Sequence, residues 1–206
     1  MIELHTTPTA NGYRASIVLE ECGLDYVARS YDLVKGEHLA PEFLALNPVG
    51  RVPAIVDRGA GAAPVVVFGT QAIAIYAAEK SGRLLPAEPA ARAAAYSWAG
   101  MVASDAGPAY SGQFVFSKIA PQPQGWGLEH FQKQCLRMLG ALETRLQAVR
   151  WLAGEDYSIA DVLAYPLAAV SALRFPSTLA AYPALQEWAA RVGARPAVQR
   201  GMQVPG

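Results

Sequence analysis

Every strand-like segment of this 206-residue chain falls before residue 70, and everything after residue 88 reads as helix or loop. Glu3–Thr6 is a short strand closed by Thr7-Pro8. Asn11-Gly12 opens a helical pattern in which Ala15, Val18, Leu19 and Cys22 recur on one face, with Gly23 placed to end it. Tyr26–Leu33 is extended again, with Val27, Tyr31 and Leu33 as its apolar members. A strand, a helix and a strand in that order require a crossover, so the two strands lie parallel. Val34–Gly50 is loop with a short helix near Pro41–Leu46. Val52–Val56 is a third strand entered through a proline, and Val65–Phe68 is a fourth, antiparallel to it across the Gly- and Ala-rich turn Asp57–Pro64. Thr70–Lys80 is a helix stopped by Ser81-Gly82, so the order is β-α-β-α-β-β-α.

Pro86 and Pro89 punctuate a linker. Beyond it, Pro89–Ser104 is Ala-rich and helical, and Pro121–Gly127 breaks the pattern. Leu128–Val149 carries a stripe of Phe131, Cys135, Met138, Leu139, Leu142 and Leu146, and Ile159–Leu173 and Ala184–Val192 are further helices. The expected domains are 1–82, a linker at 83–88, and 89–206.

Composition narrows the function. Lys+Arg and Asp+Glu are both 17, so the net charge is zero, which argues against nucleic acid or an anionic membrane as partner. The apolar segments carry residues such as Asp161 and Pro166 and are too short to span a bilayer, and the first residues do not read as a secretory signal. The two cysteines, Cys22 and Cys135, lie far apart on apolar stripes, which implies a reducing cytoplasm, buried thiols and no metal site.

Three motifs stand out. They are Thr7-Pro8-Thr9-Ala10-Asn11-Gly12, Asn47-Pro48-Val49-Gly50-Arg51-Val52-Pro53-Ala54-Ile55, and Gly154-Glu155-Asp156-Tyr157-Ser158-Ile159-Ala160-Asp161. Ser158-x-x-Asp161 has capping-box spacing, which is a folding role. Pro53 by itself reads only as a proline that starts a strand. Thr9 and Asn11 by themselves read as a cap and a turn; they also sit at a helix N-terminus, whose N–H groups and partial positive charge stabilise a thiolate.

Together, in this order, the motifs resemble the glutathione transferase superfamily, nearest its bacterial nu class and the related disulfide-bond oxidoreductases. The resemblance implies an α/β thioredoxin-like N-terminal domain followed by an all-α helical domain. It implies a cis Val52-Pro53 bond, with the Val52 backbone exposed for an extended peptide to pair with. It also implies that Thr9 and Asn11 meet the thiol of bound glutathione, that Thr70 and Gln71 hold its γ-glutamyl end, and that His38 and Arg51 hold its glycine carboxylate. Asp105 would reach the same ligand across a dimer interface, or serve only as a surface charge.

One position departs from the pattern. The superfamily normally places an acidic residue just before the Thr70 position, where it meets the ligand's ammonium, and here Gly69 supplies no carboxylate. A hydrogen bond to a charged group is worth ~1.5–3 kcal/mol, so the loss is substantial. The expected function is glutathione-dependent conjugation of an electrophile or reduction of a disulfide, with glutathione as co-substrate, in a homodimer. The alternative is a binding protein of the same fold with its glutathione affinity weakened or lost. Tyr110, Phe114, Phe116, Trp126 and Phe175 are candidates for the second substrate's wall.

Overall fold

The structure is a computed structural model that describes residues 1–122, 125–174 and 179–205, without the Arg174 side chain. Strand β1 (Ile2–Thr6) leads into helix α1 (Ala10–Cys22) and strand β2 (Tyr26–Ser30). A single 3-10 turn at Glu37–Leu39 precedes the short helix α2 (Pro41–Leu44). Strands β3 (Ala54–Asp57) and β4 (Val65–Phe68) and helix α3 (Thr70–Ser81) follow. The sheet order is β2-β1-β3-β4, with β1 parallel to β2 and antiparallel to β3, and β3 antiparallel to β4. The crossover and the hairpin thus take the senses that the sequence pattern requires.

Side chains alternate across the pleat. Ile2 and Leu4 of β1 join Ile17, Leu19, Ile73 and Ala77 in the core under α1 and α3. His5 points to the other face, where its Nδ1 lies 2.8 Å from the Tyr31 hydroxyl and its ring meets Phe43 edge-on at 6.2 Å. Phe43 brings α2 down on Val52 and Ala54 and covers that face.

All later elements among the described residues are helical. Helix α4 (Pro89–Met101), α5 (Gly107–Phe114) and the widened turns at Val102–Ala106 and Val115–Ile119 run on without a break. In the widened turns the N–H of Gly107 donates to the Val102 carbonyl and that of Ala120 to Val115, five residues back in each case. Pro108 has no N–H to give the carbonyl four residues before it, which favours such a wide turn. The sequence pattern ends this helix near Ser104, about halfway along what is one long rod.

Helices α6 (Gly125–Ala148), α7 (Ile159–Arg174), α8 (Pro183–Gly193) and α9 (Pro196–Gly201) follow among the described residues. The capping box forms: the Asp161 carboxylate accepts from the Ser158 N–H at 3.0 Å, and Ser158 Oγ accepts from the Ala160 N–H at 3.2 Å. Asp161 also accepts from the Leu152 N–H and the Trp188 indole, so one buried carboxylate joins a turn and two helices. The core continues from the sheet into the helices through Ala95, Leu142, Leu163, Trp188 and Val198. Cys22 and Cys135 are both buried, and no disulfide joins them.

Candidate functional site

The corner between β1 and α1 is tightly built. Thr9 is extended, at φ −133° and ψ 164°, and its hydroxyl accepts the Gly12 N–H at 3.2 Å. It is therefore the N-cap of α1, and the proton of its own O–H is left to donate elsewhere. A Cβ at Gly12 would lie 2.0 Å from the Thr7 carbonyl oxygen, so only glycine lets the first helical turn press on the loop. Thr7 Oγ1 donates to the Tyr31 carbonyl at 3.0 Å and ties the same loop to the chain beyond β2.

Asn11 stands in that first turn, exposed, with its side-chain oxygen bound by Nη1 of Arg14. Arg14 is 2% exposed, and its Nε donates to the Leu163 carbonyl of α7 at 2.7 Å. Burial lowers the Arg14 guanidinium to about 10, with Tyr110 opposing, so it stays charged at neutral pH. Sequence reasoning passed over Arg14. The available signal was an arginine one helical turn after Asn11 and inside an otherwise apolar stripe.

Across from this corner, the Val52-Pro53 bond is cis. Val52 precedes β3, and its backbone N–H and C=O bond no other described residue. The loop before it is held from within by buried Asn47, which donates to the Arg51 carbonyl at 2.6 Å and accepts from the Val49 N–H at 3.0 Å. Asn47 thus shapes the loop, a role its place in the motif did not reveal. The third wall is the start of α3, where Gly69 occupies the N-cap at φ 85° with no side chain to cap the helix. Thr70 therefore opens a helix whose first N–H groups have no side-chain acceptor there.

These three walls enclose a cleft of about 480 Å³, lined by Asn11, Arg14, Arg51, Val52, Pro53 and Thr70 among others. Its charged lining residues are both cations, Arg14 and Arg51. Of the other sequence candidates, Thr9 stands at the corner as the cap, behind Asn11. His38 lies behind the Asn47–Arg51 loop, its carbonyl 3.6 Å from where a Gly50 Cβ would be, and is not in the lining. Gln71 turns its amide towards Gly100, and exposed Asp105 accepts from the neighbouring Ser104 hydroxyl at 2.5 Å. Neither lines the cleft within this one subunit.

The helical wall of the cleft is made of small residues, Ala103, Gly107, Pro108 and Ser111, rather than the aromatic set expected. Tyr110 is buried against Ser171, Phe116 stacks on Phe131 at 5.5 Å, and exposed Trp126 stacks on His130 at 5.1 Å. Phe114 is exposed and Phe175 lies outside the described residues. The widened turn around Gly107 and Pro108 is what presents this small-residue wall. A second cleft, of about 550 Å³, lies between the end of α1 and the C-terminal tail, where Glu20 and Arg200 pair at 2.7 Å and Asp25 is the remaining charged lining residue.

Comparisons with known proteins agree with this fold. Residues 10–80 match the family model for the glutathione S-transferase N-terminal domain, and residues 127–196 match that for its C-terminal domain. The chain is 38% identical over 205 residues to the disulfide-bond oxidoreductase YfcG of Escherichia coli, covering 98% of this chain and 94% of that one. It superposes with a TM-score of 0.93, at 34% identity, on a glutathione transferase family member from Pseudomonas fluorescens solved with two glutathione molecules, over 99% of this chain and 93% of the other. A glutathione transferase from Pseudomonas putida, solved with one glutathione disulfide per subunit, matches at TM-score 0.93 and 32% identity over 100% and 92%.

Proposed function

Because the chain belongs to the glutathione S-transferase family, we propose that it binds glutathione in the cleft between Val52 and α3 and uses the bound sulfur as a nucleophile. The observation that carries this reading is the convergence on one cleft of a helix N-terminal amide (Asn11), a backbone unpaired among the described residues (Val52), a cation (Arg51) and a second helix start (Thr70). Each meets a different part of the tripeptide. Val52 pairs with its backbone as an added strand. Thr70 and the first N–H groups of α3 receive the γ-glutamyl carboxylate. Arg51 meets the glycine carboxylate, with His38 in support from behind the loop. Asn11 and the Thr9 hydroxyl donate to the sulfur, and the α1 terminus favours its thiolate.

Two reactions use that thiolate. In disulfide reduction it attacks one sulfur of a disulfide; a new S–S bond forms, the old one breaks, and the other sulfur leaves as a thiolate. A second glutathione then attacks the mixed disulfide and releases glutathione disulfide and the reduced thiol. In conjugation the sulfur adds to an electrophilic carbon, forming one C–S bond and expelling a leaving group or saturating a double bond. The Thr9/Asn11 corner and the likeness to YfcG favour disulfide reduction. Residues 1–82 serve as the glutathione-binding domain and 89–206 as the second-substrate domain. Val66 and Phe68 leave an apolar edge on β4, 44% and 43% exposed, that a second copy would cover, and Asp105 would then reach the partner's ligand. A reducing cytoplasm suits the buried Cys22 and Cys135.

Gly69 favours a second reading, a binding protein whose glutathione affinity has fallen. Calorimetric titration with glutathione and with its disulfide, followed by an assay of glutathione-dependent reduction of a small dialkyl disulfide, tests both. Binding with turnover supports the enzyme. No heat and no thermal stabilisation at millimolar ligand supports the second reading, since a ligand at 100 times its Kd adds about 2.7 kcal/mol.

A further inference from the structure

We propose that Arg14 is a positioning residue for the sulfur: it fixes the Asn11 amide with its donor end facing the cleft and supplies the positive charge against which a bound thiol ionises. The proposal rests on the glutathione reading above and says how the corner would work.

Three observations carry it. First, Nη1 of Arg14 donates to the Asn11 side-chain oxygen. That contact settles which way the amide is turned, because a guanidinium has only donors and must meet the oxygen. The Asn11 NH2 group is then the end left to face a ligand. Second, Arg14 is itself held from the helical half of the chain, through Nε and the Leu163 carbonyl in the turn of α7 before Pro166. The distance is 2.7 Å and the group is buried, so the fork cannot swing. Third, the charge has no counter-ion among the described residues. Nη2 of Arg14 is buried without a hydrogen-bond partner among the described residues, and no carboxylate pairs with Arg14 among them.

A buried charge ordinarily has a partner. Most carboxylates on the elements around Arg14 are engaged elsewhere, and Glu79 of α3 and Asp105 are exposed. Glu20 and Glu21 of α1 pair with Arg200 and Arg195, Asp161 of α7 is bound by Ser158, Leu152 and Trp188, and Asp57 of β3 pairs with Lys80 of α3. Among the described residues, the titratable group felt at Arg14 is the Tyr110 hydroxyl of α5. Because Arg14 is in the cleft lining, the anion that completes the corner is the ligand's own thiolate.

The test is a pH titration of the thiolate ultraviolet absorbance of bound glutathione, with kcat and KM for disulfide reduction. It compares the wild-type chain with Arg14→Gln, Arg14→Lys, Asn11→Ala and the Arg14→Gln/Asn11→Ala pair. In Arg14→Gln the bound thiol titrates about one unit or more higher, as expected when an opposite charge is removed at close range. kcat falls about tenfold to a hundredfold while KM moves less. Arg14→Lys keeps most of the acidification but loses rate, because an ammonium cannot reach both Asn11 and Leu163. The double variant loses less than the product of the single losses. Thiols that titrate together in wild type and Arg14→Gln overturn the proposal, as do multiplicative losses in the pair. Should Arg14→Gln fail to fold, Arg14→Lys carries the test, and an unchanged kcat there overturns it. A wild-type chain that takes up no glutathione overturns the functional reading itself, and is seen before any variant is made.

Discussion

Thr9 Oγ1 lies 3.2 Å from the backbone nitrogen of Gly12, so the hydroxyl proposed to face the sulfur is also the cap that starts α1. Thr9→Ala therefore removes two things at once. The lost cap costs about 1 kcal/mol, or a Tm lower by roughly 2–4 °C. The lost donor lowers kcat as well, whereas Thr9→Ser restores both. Differential scanning calorimetry beside steady-state kinetics separates the two effects.

Gly69 governs the affinity for the ligand's ammonium. A Cβ there would meet nothing within 4 Å, so the space for a side chain exists, but φ 85° suits glycine. Gly69→Glu is expected to destabilise the chain by about 1–3 kcal/mol through backbone strain. It is also expected to tighten glutathione roughly tenfold to a hundredfold by supplying the missing carboxylate. Paired calorimetric and thermal measurements on the one variant read both changes.

The pH dependence of stability has a definite source in Asp57. Its carboxylate is buried, which opposes charge, but the Lys80 ammonium at 2.8 Å, the Tyr76 hydroxyl at 2.7 Å and the Gly59 N–H outweigh that and hold it at about 2. A folded-state value below the unfolded one stabilises the fold above the unfolded value, and this contribution is lost as pH falls from about 4 to about 2. Asp57→Asn should cost about 2 kcal/mol at neutral pH, and its denaturation curve should converge on the wild type near pH 2.

Ser158 tests the capping motif without touching the cleft. It is fully buried, accepts from the Ala160 N–H and donates to Asp161 at 3.2 Å. Ser158→Ala should lower stability by about 1–2 kcal/mol in urea unfolding and leave the Kd for glutathione unchanged.

The sequence revealed local periodicity well and long-range contacts poorly. Helices α1, α3, α6 and α7 were readable because their apolar residues recur at one helical spacing, and the hairpin because a Gly-rich turn separates two Val-rich runs. The rod from Pro89 to Ile119 was readable only in part, since Gly107 and Pro108 look like breakers and the wide turns shift the apolar face. At the site, Asn11, Arg51 and Val52 were visible in motifs and Thr70 through the resemblance at the start of α3, and the cleft brings all four together. Arg14 lay in no motif, and the part Asn47 plays was not legible from its place in one, because both act on backbone carbonyls. The Leu163 carbonyl that holds Arg14 is 149 residues away, and no local spacing announces it.

The most direct test is a crystal structure of the chain soaked with glutathione. The account predicts a tripeptide extended along Val52, its γ-glutamyl end at Thr70 and its sulfur within hydrogen-bond distance of the Asn11 amide nitrogen. An unoccupied cleft at saturating glutathione, or a ligand whose sulfur points away from Asn11, would contradict it.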